Sequence, residues 1–255
     1  MFEQYMDSVR REEIAYPKLF ASYAEREYGI LYYMEDNRDS YDGNHGCLYP
    51  EKIQDLGTVL EDITAFYRAL GRRALLYHPF EKDYFRRHEG VLQAHGYTYT
   101  PEEPHRVMLL TGENRIHTEK RLDIRVLNGW DQRVAEDILL PSGEPWEVEV
   151  TKRRAEQEGA YLFVGCLGEK AVAYTDIHLS RQGDNTRFDY IVTAEEQRGK
   201  GFASELLGFV VEYCKENRFP LCWQWAGPSE HICYEAGFRE AFSIEAGYAA
   251  GPQVG

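Results

Sequence analysis

Residues 191–204 constrain what this chain can fold into more than any other segment. A β-branched run, Ile191-Val192-Thr193, leads into a turn that contains Gly199 and Gly201, and apolar residues then recur at helical spacing at Ala203, Leu206, Leu207, Val210 and Cys214. The pattern predicts a strand, a tight turn and the start of a helix. The first turn of a helix leaves about four backbone N–H groups without internal partners, at the positive end of the helix dipole. Such a helix start predicts a site for a phosphate or pyrophosphate group.

The residues of the turn suit an anion. Gly199 and Gly201 let a ligand approach the backbone, where a Cβ would block it, and Arg198 and Lys200 add positive charge. The segment contains neither the P-loop spacing GxxxxGK[ST] nor the dinucleotide fingerprint GxGxxG. Its specific feature is the spacing Arg198-x-x-Gly201-x-Ala203 at a strand-to-helix junction.

Charge and cysteine content exclude several classes of protein. The chain has 43 acidic and 29 basic residues and a net charge of -14, which argues against binding to a nucleic-acid backbone. The five cysteines are odd in number and lack CxxC spacing, so we expect neither a disulfide framework nor a metal site. No apolar stretch approaches the ~20 residues of a membrane span, and the N-terminus lacks the basic and apolar regions of a signal peptide. We therefore expect a cytoplasmic protein with no membrane partner.

The order of predicted elements indicates an internal repeat. In each half an amphipathic helix leads to a short strand, at 74–77 and at 221–225, and a short helix then ends in Gly96-Tyr97 or Gly237-Phe238. Strands at 161–166, 171–178 and 187–193 are predicted to be antiparallel. The polar segment 111–120 is typical of a linker between the halves. In the first half we predict a long helix over 3–27 and another helix beginning at Pro50.

The Arg198-x-x-Gly201-x-Ala203 spacing resembles the coenzyme A pyrophosphate loop, R/Q-x-x-G-x-G/A, of the GNAT N-acetyltransferase superfamily. The segment Ser229 to Phe238 is similar to the later motif of that family, small-x-x-L-Y-x-x-x-G-F. The resemblance covers roughly Leu122 to Tyr248. It implies an α+β sandwich with a mixed, mostly antiparallel central sheet flanked by helices. It also implies an acetyl-CoA-binding domain over 121–255 and a degenerate copy over 1–115, because the first half lacks the pyrophosphate spacing.

The resemblance implies roles for the residues of the loop. The backbone of Ile191, Val192 and Thr193 would pair with the pantetheine arm of acetyl-CoA as a strand does. The residues implied to bind the cofactor around the pyrophosphate are Arg198, Gly199, Lys200, Gly201, Phe202, Ala203, Ser204 and Ser229.

The implied reaction is transfer of an acetyl group from acetyl-CoA to a primary amine of a small molecule, by direct attack of the neutral amine on the thioester. Two alternatives are open: acetylation of a protein N-terminus or lysine, and a non-catalytic acyl-CoA-binding regulatory module. The acceptor, the acyl chain and the oligomeric state are open as well.

The catalytic groups depart from the family pattern. Cys233 stands where the family has the Tyr that protonates the leaving thiolate, and Tyr234 follows, ~100° further around a helix. Three alternatives are open for the acid: the Cys233 thiol, the Tyr234 hydroxyl or water. Cys233 can equally be a small buried core residue. Asp189 is the first candidate for the base, acting through a water, and Asp176 is the second; both can also be ordinary strand residues.

Overall fold

The computed structural model describes residues 5–38, 40–77 and 80–253. The chain forms two compact units, and each exchanges a terminal segment with the other. The C-terminal unit comprises Met1–Glu12 and Arg106–Phe242, and the N-terminal unit comprises Glu13–His105 and Ser243–Gly255. The bounds of these units differ from the predicted ranges 1–115 and 121–255, because each unit also includes a segment from the other end of the chain. The assignment of those two ranges as a degenerate copy and an acetyl-CoA-binding domain stays a prediction.

The first half of the chain supplies five strands and four α-helices to the described structure. In chain order they are α1 Met6–Ala15, β1 Ser22–Arg26, β2 Gly29–Tyr33, β3 Gly46–Leu48, α2 Leu56–Ala69, β4 Leu75–Tyr77, α3 Tyr84–Arg87, α4 Glu89–Ala94 and β5 Thr98–Leu110. Short 3-10 helices lie at Tyr16–Leu19 and Pro50–Lys52.

The second half supplies the remaining elements. They are β6 Asp123–Leu127, a π-helix Val134–Leu139, α5 Pro145–Ala155, β7 Ala160–Leu167, β8 Lys170–Leu179, β9 Thr186–Phe188, β10 Val192–Thr193, a 3-10 helix Glu195–Gln197, α6 Phe202–Glu216, β11 Cys222–Trp225, α7 Glu230–Ala236 and β12 Phe238–Ala250. No helix in the described ranges combines the length and apolar composition needed to cross a membrane.

Strand directions repeat from one unit to the other. In the N-terminal unit β1, β2 and β3 are antiparallel and β3 then runs parallel to β4. In the C-terminal unit β7, β8 and β9 are antiparallel and β9 then runs parallel to β11. The crossover between the parallel strands is α2 in one unit and α6 in the other. The predicted fold class, a mixed and mostly antiparallel sheet flanked by helices, is confirmed.

The last strand of each unit comes from the other half of the chain. Residues 107–109 of β5 pair antiparallel with β11, and residues 248–250 of β12 pair antiparallel with β4. The sequence repeat therefore does not correspond to two independent units, because each half of the chain supplies a strand to the unit formed mainly by the other half.

Both faces of the C-terminal unit's sheet are covered by helices. Along β7 alternate side chains point to opposite faces. Phe163 packs with α6, including Leu206 and Val210, while Leu162 and Val164 pack with the π-helix and the end of α5. This double burial predicts few polar residues on β7 and β8, so the polar residues that do occur there, such as Asp176, require partners.

Two helix predictions for the first half are wrong in extent. The helix predicted over 3–27 ends at Ala15, because Pro17 cannot donate an N–H and the chain turns before entering β1; residues 3 and 4 lie outside the described part. Pro50 begins only a single 3-10 turn, and α2 begins at Leu56. Its N-cap is Asp55, whose carboxylate accepts hydrogen bonds from the Gly57 amide at 2.9 Å and the Thr58 hydroxyl at 2.8 Å.

Replacing this cap should change stability in a pH-dependent way. The hydrogen bond from Thr58, followed by that from Gly57, lowers the pKa of Asp55. A carboxyl group whose pKa is lower in the folded state stabilises above its unfolded pKa and loses that effect as the pH falls through the folded value. We expect Asp55→Ala to lower Tm at pH 7 and the difference from wild type to shrink below about pH 4, the ordinary range of Asp. Thermal unfolding followed by circular dichroism across this range measures it, and a difference that is independent of pH would contradict it.

Candidate functional site

The sheet of the C-terminal unit opens between two neighbouring strands. β9 pairs with β11 only at Thr186–Cys222 and Arg187–Trp223. Residues 189–191 then interrupt the strand, and the chain resumes as β10, whose partner in the described structure is β8. β11 continues to Trp225 beside β5. The edge of 191–193 that faces away from β8 therefore has no strand beside it among the described residues, which leaves room for an extended ligand to pair there.

The loop after β10 leads directly to an uncapped helix start. Gly199 and Gly201 have φ of +75° and +84°, in the left-handed region that favours glycine. Gly201 is the N-cap of α6 and no side chain caps the helix. No backbone acceptor is found in the described chain for the amides of Phe202, Ala203 and Ser204. These amides therefore present the partial positive charge of the helix start to whatever binds there.

The two cations of the loop hold its own backbone and leave the helix start open. The Lys200 ammonium donates to the Glu196 carbonyl at 2.8 Å, and Arg198 Nε donates to the Thr193 carbonyl at 3.3 Å. A Cβ at Gly199 would meet no atom within 4 Å. The predicted loop residues are thus brought together around free space, with positive charge beside it.

Arg121 is a loop residue that sequence analysis missed. Its guanidinium lies 4.6 Å from the centroid of the Phe202 ring and donates to the Lys200 carbonyl. The backbone amides of Arg121 and Leu122 both donate to the buried carboxylate of Glu205 at 2.7 Å. Glu205 lies in the first turn of α6, so this contact fixes a third cation at the loop. No local motif marks Arg121, because its contact with α6 exists only in the folded chain.

The corresponding helix of the N-terminal unit is closed to an anion. There the Asp55 carboxylate occupies the start of α2 and accepts from the Gly57 amide. The negative side chain satisfies the Gly57 amide and would repel a phosphate at this point. The two units therefore share strand directions but differ in what occupies the start of the crossover helix.

The two candidate bases are joined by one buried guanidinium. Arg154 on α5 donates to both carboxylate oxygens of Asp176 at 2.7 Å and lies 2.7 Å from Asp189 Oδ2. Burial raises the pKa of Asp176, and Arg154 opposes that rise. The role of Asp189 as the base stays a prediction, and its contact with Arg154 gives it a structural function as well.

Glu147 is a second residue that sequence analysis missed. Glu147, Thr151 and Arg154 share one face of α5 at spacings of four and three residues. The Tyr174 hydroxyl of β8 lies 3.4 Å from Glu147 Oε1. Burial raises the pKa of Glu147, and the negative charge of Asp189 raises it further. The helical spacing of Glu147 and Arg154 is visible in the sequence, but only the fold shows that this face points to the interrupted strand.

The candidate acids lie on α7. The Cys233 thiol is buried in the core formed with α6 and lies 3.5 Å from the Ser229 carbonyl, to which it donates. Burial raises the pKa of Cys233 to about 11. Tyr234 is half-buried at the edge of the same core, and Ser229 is the residue preceding the helix. The choice between Cys233, Tyr234 and water as the acid stays a prediction.

Removing Arg154 should destabilise the fold strongly. Arg154→Met leaves the Asp176 carboxylate buried without the guanidinium that pairs with it, and breaking a buried pair in this way costs about 3–5 kcal/mol of unfolding free energy. Arg153→Met is the matched control, because Arg153 pairs with Glu149 at the half-exposed surface of the same helix, and we expect a change within about 0.5 kcal/mol. Urea unfolding at pH 7 measures both. Equal effects of the two variants would contradict the structural role of Arg154.

Comparison with known proteins agrees with this geometry. The model of the acetyltransferase (GNAT) family matches residues 131–238, which include the interrupted strand, the loop and α7. No curated protein matches the chain closely enough in sequence to count as a relative.

Several solved structures share the fold. A GCN5-related N-acetyltransferase from Kribbella flavida is 14% identical with a TM-score of 0.63, over 96% of this chain and 93% of that one. A GCN5-related N-acetyltransferase-like protein from Streptococcus suis is 15% identical with a TM-score of 0.55, over 98% and 100%. A tandem GNAT protein from the clavulanic acid biosynthesis pathway is 12% identical with a TM-score of 0.55, over 81% and 73%. At these identities the likeness shows the fold.

The GNAT family generally uses acetyl-CoA as co-substrate and acts on amines. Residues 131–238 of this chain match the model of that family, and the match supports an acyltransferase activity for this segment.

Proposed function

We propose that the C-terminal unit transfers the acetyl group of acetyl-CoA to a primary amine of a small molecule, by direct attack of the amine on the thioester. The observation that carries the proposal is the start of α6. It has no side-chain cap, it follows two glycines in the left-handed region, and it lies directly after the interrupted strand. An anionic chain molecule fits both features, with its phosphates at the helix start and its arm along 191–193.

The charges at the loop support coenzyme A as the ligand. The amides of Phe202, Ala203 and Ser204 would bind the pyrophosphate, and the cations of Arg198, Lys200 and Arg121 would offset its charge. Ser204 and Ser229 remain candidates for further contacts. The arm would use the main-chain groups of Ile191, Val192 and Thr193 that β11 does not reach.

The chemistry requires a neutral amine and a protonated leaving group. The amine nitrogen forms a bond to the thioester carbon, the C–S bond breaks, and the thiolate of coenzyme A takes a proton. The Cys233 thiol keeps its proton at neutral pH, since its pKa is about 11. Its S–H, however, donates a hydrogen bond to the Ser229 carbonyl at the start of the same helix. Tyr234 and water are the alternatives to it for the acid.

A charge placed at the loop tests the binding site. Gly199→Asp puts a carboxylate in the free space beside the start of α6, much as Asp55 does at α2, and we expect acetyl-CoA binding to weaken at least about tenfold through repulsion of the phosphates. Gly199→Asn is the matched control, because Asn has the same shape and also tolerates positive φ. Isothermal titration calorimetry with acetyl-CoA measures both variants. Equal affinities of the Asp and Asn variants would place the phosphates elsewhere.

A turnover assay tests the reaction and the acceptor class. Wild-type protein is incubated with acetyl-CoA and a panel of small primary amines, and in parallel with peptides that present a free N-terminus or a lysine. We expect thiol release and an acetylated product, identified by mass spectrometry, with small amines. Turnover confined to peptides would replace the small-molecule acceptor with a protein, and binding of acetyl-CoA without turnover of any amine would leave a binding module.

A further inference from the structure

We propose that Glu147 binds the ammonium group of the acceptor and takes its proton before the amine attacks the thioester. The proposal rests on the proposed function, because it requires an amine acceptor. Glu147, in the first turn of α5, would then be the general base, the role for which Asp189 is the first candidate from the sequence.

The position of Glu147 in the C-terminal unit carries the proposal. Its contact Tyr174 is the residue of β8 that pairs with Val192 of β10. Val148, the residue after Glu147 in α5, packs against the same apolar cluster as Val192. The start of α5 therefore lies over the stretch of chain at which pairing with β11 has ended. A group bound by Glu147 would lie beside the opening between the strands.

The charges around Glu147 leave it available for a cation. The carboxylates of Asp176 and Asp189 share the Arg154 guanidinium, whose three contacts with them are each 2.7 Å. In the described structure no cation lies within ion-pair distance of Glu147, and its hydrogen bond is a long one, from the Tyr174 hydroxyl. Arg154 thus acts on all three carboxylates, and Arg187 acts on Asp176 as well. A positively charged amine beside Glu147 would offset the negative charges of Asp189 and Glu144 that act on it.

Glu147 is also suited to accept a proton. Besides burial, the charges of Asp189 and Glu144 raise its pKa, while Arg154 and the hydrogen bond from Tyr174 lower it. A base is more effective when its pKa approaches the working pH. Glu147 is half-buried, so it can return the proton to water after each turnover.

The proton balance is complete without a further reactant. The ammonium R–NH3+ gives one proton to the Glu147 carboxylate and becomes R–NH2, which forms the C–N bond. As the C–S bond breaks, the remaining excess proton on nitrogen passes to the thiolate, through the acid considered above. The products are the amide and coenzyme A, and Glu147 then loses its proton to solvent.

The first experiment compares two glutamates of one helix. In Glu147→Gln the side chain keeps its size but cannot take a proton, so we expect kcat/KM for the amine to fall about 10²–10⁴-fold. The acidic limb of its pH profile should disappear, and acetyl-CoA affinity should stay unchanged. Glu149→Gln is the control, because Glu149 pairs with Arg153 at the surface, and its kinetics should match wild type. An acidic limb that persists in Glu147→Gln would overturn the proposal.

The second experiment separates Glu147 from Asp189. Asp189→Asn removes a negative charge that raises the pKa of Glu147, so the acidic limb should move to lower pH and remain present. If Asp189→Asn abolishes the limb while Glu147→Gln keeps it, Asp189 is the base and the proposal falls. If the wild-type protein turns over no amine, both the proposed function and the proposed role of Glu147 are wrong. A limb retained in Glu147→Gln, with active wild type, overturns only the role of Glu147.

Discussion

The buried guanidinium of Arg154 holds together the part of the fold on which the site depends. It joins α5 to Asp176 in the middle of β8 and to Asp189 in the interruption between β9 and β10. The backbone supports the same geometry, because the Asp189 amide donates to the Asp176 carbonyl at 2.9 Å and the Thr175 hydroxyl donates to the Asp189 carbonyl at 3.2 Å. These contacts keep the interrupted strand against β8. β11 can then diverge from it without exposing an unsupported segment.

The opening between the strands and the start of α6 follow from that interruption. In the described ranges β8 is the strand that pairs with β10, and no strand lies along its other edge; the chain then turns through two glycines into a helix with no side-chain cap. An unfilled helix start costs little at the surface, where water satisfies its amides. Contacts with Glu205 bring Arg121 to this helix start from a distant part of the chain, which adds a positive charge beside the free amides.

The N-terminal unit shows how the same strand directions can exist without the site. Its parallel pair β3–β4 and crossover helix α2 repeat the arrangement of β9, β11 and α6. The Asp55 side chain fills the position that is open at Gly201. The two units thus differ in the residue at the start of this helix, Asp55 with a capping carboxylate in one and Gly201 with no side chain in the other. Similar strand directions therefore do not by themselves assign a function to the N-terminal unit.

The sequence by itself determined the strand, the glycine turn and the helix of 191–204, the antiparallel strands before them, and the likeness of the two halves. Each of these follows from local spacing: side-chain periodicity, glycine conformation and the free amides of a helix start. It did not determine that Pro17 would end α1, that β5 and β12 would complete units other than their expected ones, or that Arg154 would neutralise Asp189. Nor did it bring Glu147 to the opening or Arg121 to the loop. Those outcomes depend on contacts between residues far apart in the chain, where burial decides which charges must pair and which remain available, and only the tertiary structure fixes that.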